Sequence, residues 1–213
     1  MYIIRSMSRN AVTSSDGDHI SPEFSLSNPA GSFWSVFSSV LGSPKRFFLG
    51  FEQEGEVREP LVYAAIVGFI GALLSFALSP VFRLMFGTGT GDEVYGLGAL
   101  EALGFVVVFP LFVLFAAGVF LLAITIFVGP VADFRQLIRM CAYAFSGLAF
   151  AWIPFVGAFL VTYSLLVLML IGIRYVYRTT FLTALVVSVT GFVPLATVLI
   201  ALRGLAFQIT SSL

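Results

Sequence analysis

Two pairs of arginines, each spaced by four residues, are the side chains in this sequence best suited to binding chemistry. They are Arg135 with Arg139, and Arg174 with Arg178. On a helix such residues lie one turn apart, where like charges repel each other. Each pair is therefore expected to have an anionic group nearby, and phosphate or carboxylate is the group that arginine binds best.

Catalytic and metal chemistry have few candidates. His19 is the only histidine and Cys141 the only cysteine, so one chain cannot assemble a His/Cys metal site. Ser146 lacks a histidine base, since His19 lies in the polar N-terminal region, and it is interpreted as a small helix-packing residue. The GTGTG sequence at 87–91 lacks the Lys-Ser/Thr that completes a phosphate-binding loop. We expect no enzymatic activity, no catalytic residue, no metal and no cofactor.

The composition decides where these residues must be placed. Of 213 residues, 59% are hydrophobic and 10% are charged, whereas about 25% are charged in an ordinary soluble domain. Basic and acidic residues number 11 each, so the formal net charge is zero. This composition excludes a soluble globular enzyme, a disordered protein and a nucleic-acid-binding protein. It indicates an integral membrane protein.

The apolar segments predict an all-α, polytopic membrane protein with five transmembrane helices. The expected spans are 61–82, 103–128, 138–153, 155–173 and 181–202. The long apolar stretch 138–173 is divided near Pro154, because the residue before a proline resists the helical conformation. The third span is then only about 24 Å long, so we expect it to thin the bilayer or to be tucked inside the bundle.

The region before the spans is predicted to have two parts. Residues 1–31 are rich in Ser, Asn, Asp and Gly and are expected to form a largely disordered tail. Residues 32–60 combine an amphipathic stretch, with Pro44 at the start of a second short helix, and an acidic linker. The amphipathic stretch either lies in the membrane interface or docks against the bundle. These two parts are followed by the third region of the chain, 61–205, which is predicted to be the transmembrane domain.

Basic residues near the span ends predict the orientation. With the N-terminus inside, the inner flanks hold Lys45, Arg46, Arg58, Arg135, Arg139, Arg174 and Arg178, and the outer flanks hold Arg83 and Arg203. The excess of inner positive charge predicts an N-terminus inside and a C-terminus outside. Lipid phosphates and this general bias account for the arginine pairs. The alternative is a cytoplasmic patch of Lys45, Arg46 and both arginine pairs that binds anionic lipid headgroups or an acidic partner segment.

Several short motifs carry a resemblance to a known family. They are Leu41–Lys45, Pro60–Ala64, Ala142–Ala144, Ile153–Gly157 and Gly172–Arg174. Their order along five spans with a short third helix resembles the Yip1-domain family of integral membrane proteins in its compact prokaryotic form. The motif residues Pro44, Tyr143, Pro154, Gly157 and Gly172 would have structural roles. The family often has proline four residues after the tyrosine, and Gly147 stands there in this chain.

The resemblance implies a five-helix fold with a cytoplasmic N-terminus, and the lack of long inserts favours a prokaryotic cytoplasmic membrane. Prokaryotic members of the family have no agreed activity, and our first hypothesis is a non-enzymatic scaffold or membrane-organising, trafficking-like factor with an unidentified membrane or cytoplasmic protein partner. The alternative is a small permease or channel component. Small residues at four-residue spacing, such as Ala64–Gly68–Ala72 and Gly71–Ser75–Ser79, also leave room for a homo-oligomer.

Overall fold

The protein is helical throughout the part of the chain that its computed structural model describes. This part comprises the backbone of residues 21–52, 54–86, 99–151, 153 and 156–212, and their side chains except at 79, 82–86, 99–105 and 202–212. The helices are α1 (Pro29–Gly42), α2 (Pro44–Leu49), α3 (Arg58–Phe86), α4 (Ala99–Phe127), α5 (Phe134–Ala144), α6 (Val156–Thr162), α7 (Met169–Val176) and α8 (Phe181–Ser212). A 3₁₀ segment, Phe145–Phe150, continues α5, and a π-helical segment, Tyr163–Leu168, joins α6 to α7.

Four helical stretches of the described chain are long and apolar enough to cross a membrane. They are Arg58–Leu78, Val106–Phe127, Val156–Val176 and Phe181–Ala201. Each has 21 or 22 residues, which is about 31–33 Å of helix and matches a hydrocarbon core of about 30 Å. The expectation of an all-helical, multi-pass membrane protein is confirmed at this level.

The predicted third span, 138–153, differs from the other four. The chain is α-helical from Phe134 to Ala144 and then winds as a 3₁₀ helix to Phe150. Every side chain from Gln136 to Ala149 is buried. This segment includes charged and polar side chains, and it is covered on all sides by the other helices and by α1. It is therefore a central element of the bundle, as the tucked alternative predicted.

The break that was expected near Pro154 lies between the 3₁₀ segment and α6. Ala151 forms a turn and Ile153 a bend, and α6 begins at Val156, while Pro154 itself lies outside the described residues. Gly157 makes the reversal possible, because a β-carbon there would lie 2.3 Å from the carbonyl oxygen of Ala151. Beyond the turn, α6 and α7 run back along the 3₁₀ segment and α5.

The bundle has two ends, which the contacts distinguish. We call proximal the end where α3, α5 and α8 begin and where α4 and α7 finish. Along the α3–α5 contact, Tyr63 lies beside Ser146, and Gly71 packs on the backbone of Ala149 further toward the opposite, distal end. The small residues of α3 permit this approach: Ala64, Gly68, Gly71, Ala72 and Ser75 are all buried. These five positions are thus used for helix packing within the chain, and the homo-oligomer stays a prediction.

Residues 21–57 wrap the proximal end of the bundle, and we call them the collar. The prediction of a disordered tail is wrong for residues 21–31, because Ser21 and Phe24 are buried and α1 begins at Pro29. Residues 1–20 of that predicted tail lie outside the described chain. Asn28 caps α1 by accepting a hydrogen bond from the Gly31 amide at 3.3 Å. As predicted, Pro44 occupies the first turn of a second short helix, α2.

The collar helices dock on the bundle through their apolar faces. In α1, Val36, Phe37 and Val40 are buried, and the Phe37 ring lies 5.7 Å from that of Phe150 at the end of the 3₁₀ segment. In α2, the buried Phe48 packs near Gly172 of α7. The apolar face of the amphipathic stretch therefore packs against the bundle, and its position relative to the membrane interface stays a prediction.

Candidate functional site

A buried ion pair in the described part of the chain joins α5 to the collar. Arg139 is only 1% exposed, and its guanidinium donates to a carboxylate oxygen of Glu23 and to the backbone carbonyl oxygen of Glu54. The guanidinium also lies 5.4 Å from the ring centroid of Phe51. Two charge-assisted hydrogen bonds and an aromatic ring thus replace the water that a buried cation loses. We call these four residues the arginine clasp.

A glycine makes room for the clasp. Gly55 has a φ of +148°, and a β-carbon there would lie 2.7 Å from a guanidinium nitrogen of Arg139. The backbone conformation and the close approach both require glycine. The acidic linker predicted for this region is thus partly structural: the Glu54 side chain is exposed, but its carbonyl group and the next residue enclose a buried cation.

The clasp also perturbs the titration of its carboxyl group. Burial raises the pKa of Glu23 above its ordinary value of 4.5, and nearby Glu52 and Glu59 add to the rise, while Arg139 opposes it. The Glu23 side chain is 35% exposed, so water still reaches part of it. A protonated carboxyl keeps a carbonyl oxygen that can accept the arginine N–H. We therefore expect the contact to survive protonation of Glu23.

Backbone hydrogen bonds fix the rest of the collar's first segment. The Ser21 amide donates to the carbonyl oxygen of Gly50 at 3.1 Å, and the Ser21 hydroxyl donates to the carbonyl oxygen of Phe47. The Leu26 amide donates to a carboxylate oxygen of Glu59 at 3.0 Å. These bonds tie residues 21–26 to both α2 and the start of α3.

Beneath the clasp, two tyrosines and a serine form a buried hydrogen-bonded group. The hydroxyls of Tyr63 and Ser146 lie 2.6 Å apart, and Ser146 donates to the carbonyl oxygen of Tyr143 at 2.6 Å. Since Ser146 uses its proton on Tyr143, the Tyr63 hydroxyl is the donor to Ser146. The rings of Tyr63 and Tyr143 pack edge to face with centroids 5.2 Å apart. This group holds α3 against the α5 segment.

Aromatic residues of the collar close over this group. Phe24 and Phe33 lie 5.8 Å and 5.1 Å from the Tyr63 ring, and Phe47 lies 5.7 Å from the Tyr143 ring. The backbone amide of Phe24 makes a long, 3.4 Å hydrogen bond to the Tyr143 hydroxyl. The arginine clasp, the two tyrosines with Ser146, and the aromatic residues of the collar are continuous with one another. We call them together the junction between the N-terminal segment and the bundle.

The structure divides the predicted basic patch. Arg139 was predicted to be a member of an exposed patch at a span end, and this is wrong because it is buried and already paired with Glu23. Arg135 is exposed and lies elsewhere, lining a shallow cavity with Glu54, Asp133 and Gln136. The two members of this i, i+4 pair therefore have different environments, and only one faces solvent.

The remaining basic residues of the predicted patch are all exposed. They are Lys45, Arg46, Arg174 and Arg178. Lys45 and Arg174 approach the same ring, with the Lys45 ammonium 5.7 Å and the Arg174 guanidinium 5.4 Å from the centroid of Tyr175. Arg174 and Arg178 line a cavity between α2 and the end of α7. The structure thus places Arg174 and Arg178 in one cavity and Lys45 near Tyr175, which also lines it.

The residues that carried the family resemblance lie at points of close packing. Tyr143 belongs to the buried group described above, and Gly157 enables the turn after the 3₁₀ segment. A β-carbon at Gly172 would lie 3.0 Å from the sulfur of Met140 and 3.3 Å from the Phe48 ring. Gly147 packs against Ser164 of the π-helical segment, whose hydroxyl oxygen would lie 2.1 Å from a β-carbon there.

Comparison with known proteins gives no match: no family model, curated protein or solved structure is similar to this chain. The Yip1 resemblance therefore stays a prediction that rests on the motifs alone.

Sequence reasoning missed three residues of this junction. Glu23 lies in a polar segment whose composition predicts disorder, and no local pattern links it to Arg139. Tyr63 belongs to a predicted span whose composition is almost entirely apolar, so its hydrogen bond was not expected. Ser146 was interpreted only as a small packing residue. A polar residue within an apolar stretch, such as Arg139 in the predicted third span, is the one signal that indicates a required partner.

Proposed function

We propose that this chain is a non-enzymatic, Yip1-type integral membrane protein that acts as a scaffold or membrane-organising factor. The observation that supports this role is the arginine clasp, which locks the polar N-terminal segment onto the bundle. A segment held by a buried ion pair presents a fixed surface, and a fixed surface binds a partner without first losing the conformational entropy of a free tail. The partner in this proposal is a membrane or cytoplasmic protein that recognises the collar.

The topology we propose has five crossings, with the N-terminus inside and the C-terminus outside a prokaryotic cytoplasmic membrane. The fifth crossing is the segment Phe134–Phe150, which is about 28 Å long when its α and 3₁₀ parts are added. Five crossings are supported by the path of the chain, which reverses at Ala151 and returns through the full-length stretch Val156–Val176. The described basic residues of the inner flanks also lie at the proximal end, as the charge rule requires.

Single cysteines test this topology. Thr180 is exposed at the proximal end and Ala151 is exposed at the distal turn, whereas the native Cys141 is buried. In intact cells a membrane-impermeant maleimide should label Ala151→Cys and should reach Thr180→Cys only after the membrane is opened. Labelling of both cysteines from the same face would contradict the fifth crossing.

The outward face of the collar is the surface offered to a partner. Trp34 is 67% exposed on α1 and Leu49 is 59% exposed at the end of α2. On α1, Ser35 and Ser38 are exposed as well. Large apolar side chains on a rigid polar surface are typical of contact sites, and a tryptophan at this level also suits the membrane interface.

Photo-crosslinking in native membranes tests the scaffold role. We would place a photoreactive residue at Trp34 or Ser38 and read the adducts by mass spectrometry. Leu182, 69% exposed on the spanning part of α8, is the control position and should give lipid adducts. We expect one recurrent protein adduct from the collar, which is reduced when Glu23→Ala opens the clasp. Lipid adducts alone from the collar would contradict a scaffold role.

A second function, that of a small permease or channel component, is supported by two buried hydroxyls. Among the described side chains, those of Ser164 and Ser188 are buried without a hydrogen-bond partner. Both lie within membrane-crossing stretches, where unpaired polar groups are costly. Conductance of the purified protein in planar bilayers above that of empty bilayers, abolished by Ser164→Ala, would favour this function. Bilayers that stay silent with correctly inserted protein would argue against it.

A further inference from the structure

A cavity at the proximal end combines exposed cations with aromatic and apolar walls. It has a volume of about 350 Å³ and lies between α2 and the end of α7. Arg174 and Arg178 line it together with Phe48, Phe51, Tyr175 and Thr179. The Lys45 ammonium lies 5.7 Å from the ring centroid of Tyr175, one of the lining residues. No aspartate or glutamate is among the described residues that line it.

No carboxylate among the described residues compensates the positive charge of this cavity. Within the described residues, Lys45, Arg174 and Arg178 form no ion pair with a carboxylate, in contrast to Arg139. Arg174 instead lies over two aromatic rings, at 5.4 Å from Tyr175 and 5.8 Å from Phe181. Cation–ring contacts hold a guanidinium in position without neutralising it. The two guanidiniums that line the cavity repel each other, and an anion between them would relieve that repulsion.

The backbone of Arg178 gives an independent reason to expect a ligand. Helix α7 ends in a Schellman-type turn, in which the Thr179 amide donates to the carbonyl oxygen of Arg174 at 3.2 Å. The position after the helix cap in this turn takes the left-handed conformation and is usually glycine. Here it is Arg178, with a φ of +49°, the only positive φ of a non-glycine residue among those described. A charged side chain thus stands where the backbone favours glycine, and such an exception points to a function of the side chain.

From these observations we propose that the cavity binds a phosphate-bearing anion through Arg174 and Arg178, with Lys45 near the Tyr175 ring adding positive charge. The two guanidiniums supply forked N–H donors for phosphate oxygens, and the lysine adds a point charge. Leu49, which lines the cavity and is 59% exposed, suits the apolar part of a larger ligand. A phospholipid headgroup and a soluble phosphate share this chemistry, and the experiment distinguishes them. The proposal does not depend on the scaffold role of the collar.

Native mass spectrometry of the full chain in detergent tests this site. The probes are phosphatidylglycerol, phosphatidylcholine as the zwitterionic comparison, and inorganic phosphate. We expect the wild-type protein to retain phosphatidylglycerol over phosphatidylcholine, and we expect Arg174→Gln and Arg178→Gly to weaken that retention about tenfold each. Arg178→Lys should keep part of it. Arg135→Gln removes an equally exposed arginine from outside the cavity and should leave retention unchanged.

The glycine variant separates binding from folding. Because glycine suits the left-handed position, Arg178→Gly should melt at the same temperature as the wild type or higher while it loses the anion. If inorganic phosphate displaces bound phosphatidylglycerol, the site accepts a soluble phosphate, and if only the lipid binds, the ligand is a headgroup. Equal retention by all variants, or equal loss in Arg135→Gln, would overturn the proposal.

Discussion

The guanidinium of Arg139 donates to the carboxylate of Glu23, a residue 116 positions earlier in the chain. This bond joins the centre of the bundle to a segment that the sequence alone presents as a polar tail. The arginine is buried, whereas the Glu23 side chain is 35% exposed. The two members of this ion pair are therefore not equivalent, and substitution of each should change the stability of the protein by a different amount.

We expect Glu23→Ala to destabilise the protein more than Arg139→Met. The alanine variant leaves a buried guanidinium with only Glu54 and Phe51 beside it and should cost about 2–3 kcal/mol of unfolding free energy. The methionine variant removes the buried charge and keeps the volume, while Glu23 can turn to water, so it should cost about 1 kcal/mol. Unfolding by dodecyl sulfate in mixed micelles measures both values.

The rate of trypsin cleavage provides a second test of the ion pair between Arg139 and Glu23. Lys45 and Arg46 lie in α2 of the collar and are exposed, but cleavage requires the helix to open locally. Glu23→Ala should speed cleavage there, and Glu23→Gln, which keeps an acceptor for Arg139, should speed it less. Equal cleavage rates in wild type and Glu23→Ala would mean that the clasp does not hold the collar.

Mild acid should not open the clasp. Burial raises the pKa of Glu23 in the folded protein, so the folded state binds this proton more tightly than the unfolded chain does. The stability that Glu23 contributes is fully present below pH 4.5, the ordinary pKa of its carboxyl group. It is lost as the pH rises through the raised pKa of the folded state. From neutral pH down to about pH 5, the Glu23 contribution should therefore hold or increase. Glu23→Gln should lack this dependence, and acid-induced collar release in the wild type alone would contradict it.

Gly55→Ala should be worse than Gly129→Ala, which is its matched control. Both glycines have a positive φ, +148° and +114°, but only at Gly55 would a β-carbon meet the Arg139 guanidinium, since open space surrounds Gly129. Each substitution carries a backbone cost of about 1 kcal/mol. The extra loss in Gly55→Ala, measured by the same unfolding titration, reports the clash with the clasp. Equal losses would show that Arg139 moves aside freely.

The Tyr63–Ser146 hydrogen bond should respond asymmetrically to substitution. Ser146→Ala leaves the buried Tyr63 hydroxyl without its acceptor and should cost about 2 kcal/mol, whereas Tyr63→Phe leaves Ser146 bonded to Tyr143 and should cost about 1 kcal/mol. The double variant should be no less stable than Ser146→Ala, because both polar groups are then gone. Additive losses in the double variant would indicate that the two hydroxyls do not interact.

Much of the helical layout could be predicted from the sequence, because it follows from local physics. The apolar stretches define the four spanning helices, and proline geometry defines the turn before Val156. Pro44 likewise begins α2 because its missing amide proton costs nothing in a first turn. These features can be predicted because they depend only on residues that are close together in the sequence.

The junction could not be predicted, because its members are far apart in sequence. Glu23 is ordered by Arg139, and neither has a local pattern that identifies the other. The 3₁₀ segment after Ala144 also reflects tertiary packing, since its backbone lies directly against Gly71 of α3. Arg139 was expected to reach the membrane surface, whereas a partner inside the protein makes burial tolerable.

Amide hydrogen exchange over residues 21–28 tests most directly whether the N-terminal segment is part of the bundle. The amides of Ser21, Ser25 and Leu26 donate to Gly50, Ser32 and Glu59, so exchange in the purified wild-type protein should be slow. It should become much faster in Glu23→Ala, while amides of α4 such as Val113 stay protected in both. Exchange over 21–28 that is complete within seconds in the wild type would contradict an ordered collar and the scaffold role built on it.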